Sequence, residues 1–195
     1  MDVEELKKKE LENEELKQAT LRVYQAFRDG FFKHLHEFAD KAVEVGLNAV
    51  VPCREANLGG GILQLDFVLN GAELLLIAPS DIFWLRNADG DRLAGKMFLY
   101  RDRKNNVRPS IEVAVERLLN GQYVCEMRCF SDSKPGVLFR EWMSEEMGGE
   151  VGARAADRLI EHFYSLKDSW LDQPTLGAFL ERRDGPRRMG FTTSS

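Results

Sequence analysis

The chain has 195 residues, a formal net charge of -5 and a sequence pI near 5.4. This length suits one domain, and the acidic balance argues against a protein whose whole surface binds nucleic acid or an anionic membrane. No apolar window is long enough to cross a membrane and the N-terminus does not resemble a secretory signal, so we predict a cytoplasmic protein without membrane contact. The three cysteines, Cys53, Cys125 and Cys129, are too few for a disulfide framework and are predicted to be buried thiols.

Residues 1–18 are rich in Glu and Lys and are predicted to form a charged helical extension. A long helix follows, because apolar residues that include Leu16, Val23, Phe27 and Phe31 recur every three or four positions. This stripe is about 33 Å long at the usual helical rise. A sheet of five strands is only about 20–25 Å wide. We therefore expect the N-terminal part of the stripe to be exposed and to bind a partner protein or a second copy of the chain.

The segment 61–84 contains two apolar runs that flank Asn70-Gly71. This dipeptide suits a two-residue hairpin turn, because both of its positions require a positive φ. Pairing outward from the turn gives one face of the hairpin that is entirely apolar, and this face should point toward the core. The predicted pairs are Leu69 with Ala72, Phe67 with Leu74, Leu65 with Leu76, and Leu63 with Ala78.

Further strands are predicted over 82–86, 96–101 and 123–130. The segment 109–121 fits two interpretations. As a strand that ends at a two-residue Asn120-Gly121 turn, it would form a poor core face, with Ile111, Val113 and Val115 beside Phe130, Arg128 and Glu126. As a helix, it has one continuous apolar face, so we predict an inserted helix here.

The last third of the sequence is predicted to be helical, with Gly148-Gly149 marking the end of the first helix. The predicted helices are Val137–Met147, Val151–Trp170 and Asp172–Arg183.

The sequence thus predicts an α+β fold. It consists of a long N-terminal helix, an antiparallel sheet of four or five strands, one inserted helix and a C-terminal helical cap. Residues 19–183 are predicted to form a single domain between the charged extension 1–18 and a flexible tail, 184–195.

Asp66 and Glu73 are the carboxylates whose relative position the hairpin register predicts. They should be diagonal neighbours about 7–8 Å apart at Cα. Such a pair, helped by Glu126, could serve a metal-dependent hydrolase or nuclease. One type of nuclease requires a lysine two residues after the glutamate, and Leu75 occupies that position. The alternative is that both carboxylates are simply solvated on an outer face. No residue is assigned as catalytic, and no metal or cofactor is predicted.

A basic cluster near the C-terminus supports a second alternative, a protein associated with nucleic acid. The cluster comprises Arg182, Arg183, Arg187 and Arg188. Arginines at a chain end are also typical of a solvated tail, so we predict no other contact with nucleic acid.

We predict that the protein is a non-catalytic cytoplasmic binding or accessory subunit. Its order of elements is similar to that of small acidic adaptor and chaperone domains that bind a segment of a partner. The predicted contact surface is the helical stripe or a sheet edge, and the predicted partner is another protein, a second copy of the chain, or both.

Overall fold

The structure is a computed structural model that describes residues 2–47, 51–57, 59–87, 90–101, 108–130 and 135–165. Helix α1 spans Val3–Glu44 and helix α2 spans Gly148–Ser165. A short 3-10 helix, Glu145–Met147, directly precedes α2. Between α1 and this short helix, the described residues form the strands β1 (Val51–Asn57), β2 (Ile62–Leu69), β3 (Ala72–Pro79), β4 (Ile82–Asn87), β5 (Gly90–Arg101), β6 (Ile111–Arg117), β7 (Tyr123–Cys129) and β8 (Gly136–Met143).

In the described part of the chain, all eight strands form one antiparallel sheet in the order β1-β2-β3-β5-β6-β7-β8, with β4 paired to β5. Strand β5 is long enough to pair with β4 along its first half and with β3 along its second half. The predicted α+β class and long N-terminal helix are confirmed. The predicted sheet of four or five strands is wrong, because no strand is predicted for the segment that forms β1, and helices are predicted for the segments that form β6 and β8.

The β2–β3 hairpin has the predicted register, including the four predicted apolar pairs. Asn70 has a φ of 48° and Gly71 a φ of 77°, as a two-residue turn of this kind requires. The Asn70 side chain also donates a hydrogen bond of 2.9 Å to the Phe163 carbonyl oxygen near the end of α2. The turn therefore fixes the register of the hairpin and attaches it to a helix.

The segment 109–121 contains strand β6, so the predicted inserted helix is wrong. The prediction assumed a two-residue turn, whereas the Leu118 N–H donates to the Gln122 carbonyl oxygen at 2.8 Å and encloses a three-residue turn. Gly121, the last residue of this turn, has a φ of 84°. The longer turn shifts the pairing by one residue, which brings the opposite face of β7 against β6. The resulting buried pairs are Ile111 with Cys129, Val113 with Met127, and Val115 with Cys125.

The predicted helix Val137–Met147 is also wrong, because this segment forms β8 and the short 3-10 helix. Gly148-Gly149 begins α2 instead of ending a helix. The physical reason is the closeness of α1: a Cβ on Gly148 would lie 2.9 Å from the Val23 carbonyl oxygen. The contact with α1 requires a glycine at position 148. In the sequence alone, the same glycine resembles the end of a helix.

Several C-terminal predictions fall outside the described residues. They are the part of the second predicted helix beyond residue 165, the third helix Asp172–Arg183, the tail 184–195, and the basic cluster Arg182, Arg183, Arg187 and Arg188. The domain boundaries at 18/19 and 183/184 stay predictions.

The two helices pack against one face of the sheet, and the hydrophobic core lies between the two layers. Phe27, Phe31 and Leu35 of α1 and Leu159 of α2 are buried in it. The alternating strand residues that face the helices complete the core. Among them are Leu65, Phe67, Leu74, Leu76, Met97, Leu99, Val113, Val115, Cys125 and Met127.

Glycines bring α1 and α2 together backbone to backbone. A Cβ on Gly30 would lie 2.2 Å from the Gly149 carbonyl oxygen, and one on Gly152 would lie 2.1 Å from the Phe27 carbonyl oxygen. A side-chain atom cannot lie so close to a backbone atom. The glycines at positions 30 and 152 therefore determine how closely the helices approach.

Tyr24 connects α1 to the point where β5 changes partner from β4 to β3. Its ring lies against Gly95, and its hydroxyl oxygen is 2.8 Å from the carbonyl oxygens of Pro79 and Lys96. The phenol donates its single proton to these two acceptors. Burial raises the pKa of Tyr24 above its usual value, so the ring stays neutral and continues to donate.

Replacing Gly152 by alanine should lower the free energy of unfolding by about 3 kcal/mol, because the added methyl group must separate the helices. Gly149→Ala is the matched control in the same helix, since its Cβ would meet only the Ala26 carbonyl oxygen at 3.7 Å. The control should be neutral or stabilising by up to about 1 kcal/mol. Urea unfolding of both variants measures this difference, and equal midpoints would contradict the helix contact described above.

Candidate functional site

Asp66 and Glu73 lie on the sheet face opposite the helices. Asp66 is paired with Leu75 and Glu73 with Val68, so the two carboxylates are diagonal neighbours as the hairpin predicted. The Gln64 side-chain amide donates a hydrogen bond of 2.9 Å to Asp66, and Glu73 is exposed.

Glu126, the third candidate carboxylate, lies on β7, four strand spacings or about 19 Å from β2. It forms ion pairs with Arg128 and, at 3.5 Å, with Arg140. Among the described residues, no group of three or more His, Cys, Asp or Glu side chains could hold a metal ion. The structure therefore does not bring Glu126 together with Asp66 and Glu73.

The two histidines of α1 point in different directions, as their spacing predicts. The His34 Nε2 atom lies 2.5 Å from Asp157 on α2, and His36 Nε2 lies 3.6 Å from Glu55 on β1. These contacts link α1 to both of its neighbours.

The helical stripe predicted to bind a partner is mostly occupied within its own chain. Val23, Phe27 and Phe31 are buried in the core, so the expectation that the stripe is exposed there is wrong. The reason is that the sheet and α2 together cover the stripe: the Tyr24 ring lies against Gly95 of β5, and the Phe27 backbone lies against Gly152 of α2. Leu16 is partly buried, and the exposed part of α1 is 3–15.

Cys125 and Cys129 are buried free thiols on the helix-facing side of β7, as predicted, and the side chain of Cys53 lies outside the described residues. Burial, together with the nearby carboxylates of Glu141 and Glu126, raises the pKa of the Cys125 thiol well above its usual value. A protonated, inaccessible thiol is a poor nucleophile, so Cys125 acts as a small core residue.

The strongest exposed feature of the described chain is the edge strand β8, which sequence reasoning missed. Within the described residues, β8 pairs with β7 alone. Two of its large apolar side chains are more than half exposed, Val137 at 53% and Trp142 at 54%. Arg140 lies over the Trp142 ring, with its guanidinium carbon 5.9 Å from the ring centroid. An edge strand with exposed apolar side chains offers both backbone hydrogen bonds and contact area to another strand.

Two arginines of α2 hold β8 in place. The Arg154 guanidinium donates to both carboxylate oxygens of Glu141, at 3.1 and 2.5 Å, and this hydrogen bonding raises the pKa of Arg154 above its usual value. Arg158 donates a hydrogen bond of 3.1 Å to the Leu138 carbonyl oxygen, beside a bulge in the β7–β8 pairing. In the first half of β8, α2 thus occupies a backbone carbonyl oxygen, whereas in the second half, 140–143, it binds the Glu141 side chain. Among the described residues, the backbone edge of this second half is therefore the free part of β8.

A cavity of about 390 Å³ lies next to this free half. It is formed where the β6–β7 turn meets the corner between β8 and α2. Its lining residues are Gly121, Gln122, Tyr123, Trp142, Met143, Ser144, Glu145 and Met147. Aromatic and methionine side chains make most of its wall apolar, and such adaptable walls are common in sites that bind protein side chains.

Comparison of this chain with protein-family models, with curated proteins and with solved structures gives no match. No helix within the described ranges is both long and apolar enough to span a membrane. The candidate site is therefore argued from its own geometry.

The native protein should protect Cys125 and Cys129 from alkylation by iodoacetamide, because both thiols are buried and the pKa of Cys125 is raised. Peptide mass spectrometry after a timed reaction should find both residues unmodified, and the same reaction in urea should modify both. Native labelling of Cys125 at the rate seen in urea would contradict the core assignment.

Proposed function

We propose that this protein is a non-catalytic binding subunit, of an adaptor or chaperone-like kind, that captures an extended segment of a protein partner along β8. The observation that carries the proposal is the free second half of this edge strand, which ends beside an apolar cavity. A partner strand added there would complete the backbone hydrogen bonds of the edge, while the cavity would select among side chains. The predicted cytoplasmic location remains part of the proposal and is consistent with the buried reduced thiols.

The face of the sheet that points away from the helices is less suited to bind a partner than the edge strand β8 is. Several of its charged residues are already paired across strands, with Lys96 2.9 Å from Glu112 and Arg92 3.7 Å from Glu116. Cross-strand ion pairs of this kind suit a solvated surface. A partner that covered this face would have to desolvate these pairs, which costs free energy.

Among the described strands, β4 is another edge with exposed aromatic residues, since it pairs with β5 alone. It carries Phe83 and Trp84, whose side chains are partly exposed. Unlike Trp142, neither residue lines the cavity. Trp84 therefore provides a matched control for Trp142, because both are exposed tryptophans on strands that, within the described residues, have one strand partner each.

A photoreactive benzoylphenylalanine in place of Arg140 should form a covalent adduct with a partner protein in cells that make this chain. Trp142→Ala should lower the yield of this adduct about tenfold, equivalent to about 1.4 kcal/mol of binding free energy. Trp84→Ala should leave the yield unchanged. Gel analysis and mass spectrometry of the adduct measure both effects.

The control for random contact is the same photoreactive residue in place of Val43. This valine lies at the far end of α1 and is 47% exposed. Because both tryptophans are exposed, each alanine variant should unfold within about 1 kcal/mol of the wild type. The proposal would be contradicted by equal adduct yields from positions 43 and 140, or by an equal loss of adduct in the two tryptophan variants. An adduct only with a second copy of the chain would replace the proposed partner by a homodimer.

A further inference from the structure

The cavity beside Trp142 combines an apolar wall with a single charged group. Of the described residues that line it, only Glu145 carries a formal charge. Its Oε1 atom accepts a hydrogen bond of 3.5 Å from the Tyr123 hydroxyl, a long and weak contact. No arginine, lysine or histidine among the described residues forms an ion pair with Glu145. The carboxylate is therefore available to a cation that enters the cavity.

The neighbouring charges do not cancel this preference. Glu146 is exposed next to Glu145 and adds a second negative charge. Arg140 is engaged by Glu126 and the Trp142 ring, and Arg117 approaches Gly121 but does not line the cavity. The electrostatic potential at the Glu145 end therefore favours a positive ligand group.

We infer that this cavity receives a lysine or arginine side chain of the segment that β8 binds, an inference that rests on the proposed function. The aliphatic stem of the side chain packs against Met143, Met147 and Trp142, and its charged head pairs with Glu145. Long basic side chains bury their stems and keep their heads near polar groups in this way. The partner is thus an extended segment that pairs with β8 and carries a basic residue. This residue lies beside the end of β8, where its side chain enters the cavity.

The alternative occupant of the cavity is a purely apolar side chain, which the apolar walls could bind without any contribution from Glu145. Norleucine tests this alternative directly, because it has the aliphatic stem of lysine without the ammonium group. Glutamate tests the charge with the opposite sign. The probes are therefore three capped peptides, acetyl-Thr-Val-Lys-Val-Thr-amide and its counterparts with norleucine or glutamate in the central position. The β-branched residues on either side favour the extended conformation.

Titration of the isotope-labelled full chain, followed by amide signals of Gly121 and Met147, measures the affinity for each peptide. The lysine peptide should bind about three- to fivefold more tightly than the norleucine peptide, as expected for one partly exposed ion pair, and this advantage should fall as salt is added. The glutamate peptide should bind most weakly.

Two variants assign the effect to the cavity. Glu145→Gln, an isosteric change at an exposed position, should remove the lysine advantage and leave norleucine binding unchanged. Ser144→Trp should fill the cavity and abolish the binding of both peptides, and among the described residues it breaks no side-chain capping hydrogen bond of the short 3-10 helix.

Equal affinity for lysine and norleucine, a lysine advantage that survives Glu145→Gln, or no binding by any of the three peptides at millimolar concentration would overturn the inference. Its failure can be distinguished from failure of the proposed function. If photoreactive position 140 still forms a Trp142-dependent adduct, the edge binds a partner and only the lysine assignment is wrong. If the lysine advantage appears without any such adduct, the cavity binds cations but the proposed function is wrong.

Discussion

The close contact between α1 and α2 is the constraint on which the rest of the structure depends. Gly30 and Gly152 carry no Cβ at the two points where the helix backbones come closest, so two helices fit side by side on one face of the sheet. Gly148 extends this contact to the start of α2, next to the Val23 carbonyl oxygen. The end of β8 must therefore turn sharply into α2, and this corner forms one wall of the cavity. A packing requirement in the core thus positions the candidate site.

The sequence predicts those parts of the fold that local signals determine. Asn70-Gly71 identifies the first hairpin with its register, and the apolar stripe that includes Phe27 and Phe31 identifies α1. Strand β6 was missed because its turn has three residues rather than two, and a shift of one residue exchanges the faces of a strand. In β8, the order of apolar residues also matches a helical face, and pairing with β7 decides between the two.

The candidate site could not be predicted because it exists only in the folded sheet. Its two walls come from 121–123 and 142–147, which meet only after β7 and β8 have paired. The position of β8 at the edge of the sheet likewise follows from the order of the strands, and no residue of β8 by itself specifies this position. The only signal in the sequence of β8 is a tryptophan in a short apolar run, and a tryptophan in such a run equally suits a core helix.

Binding along β8 should require little rearrangement of this chain. Arg154 and Arg158 attach the strand to α2, and the bulge in the β7–β8 pairing fixes its first half. The edge therefore already has the conformation that an added strand needs, and most of the entropy cost of binding falls on the partner. A flexible partner segment gains a strand partner and loses conformational freedom, so its backbone alone would bind weakly. Discrimination between segments must then come from side chains, and the cavity at Trp142, beside the free half of β8, offers a partner side chain a mostly apolar wall.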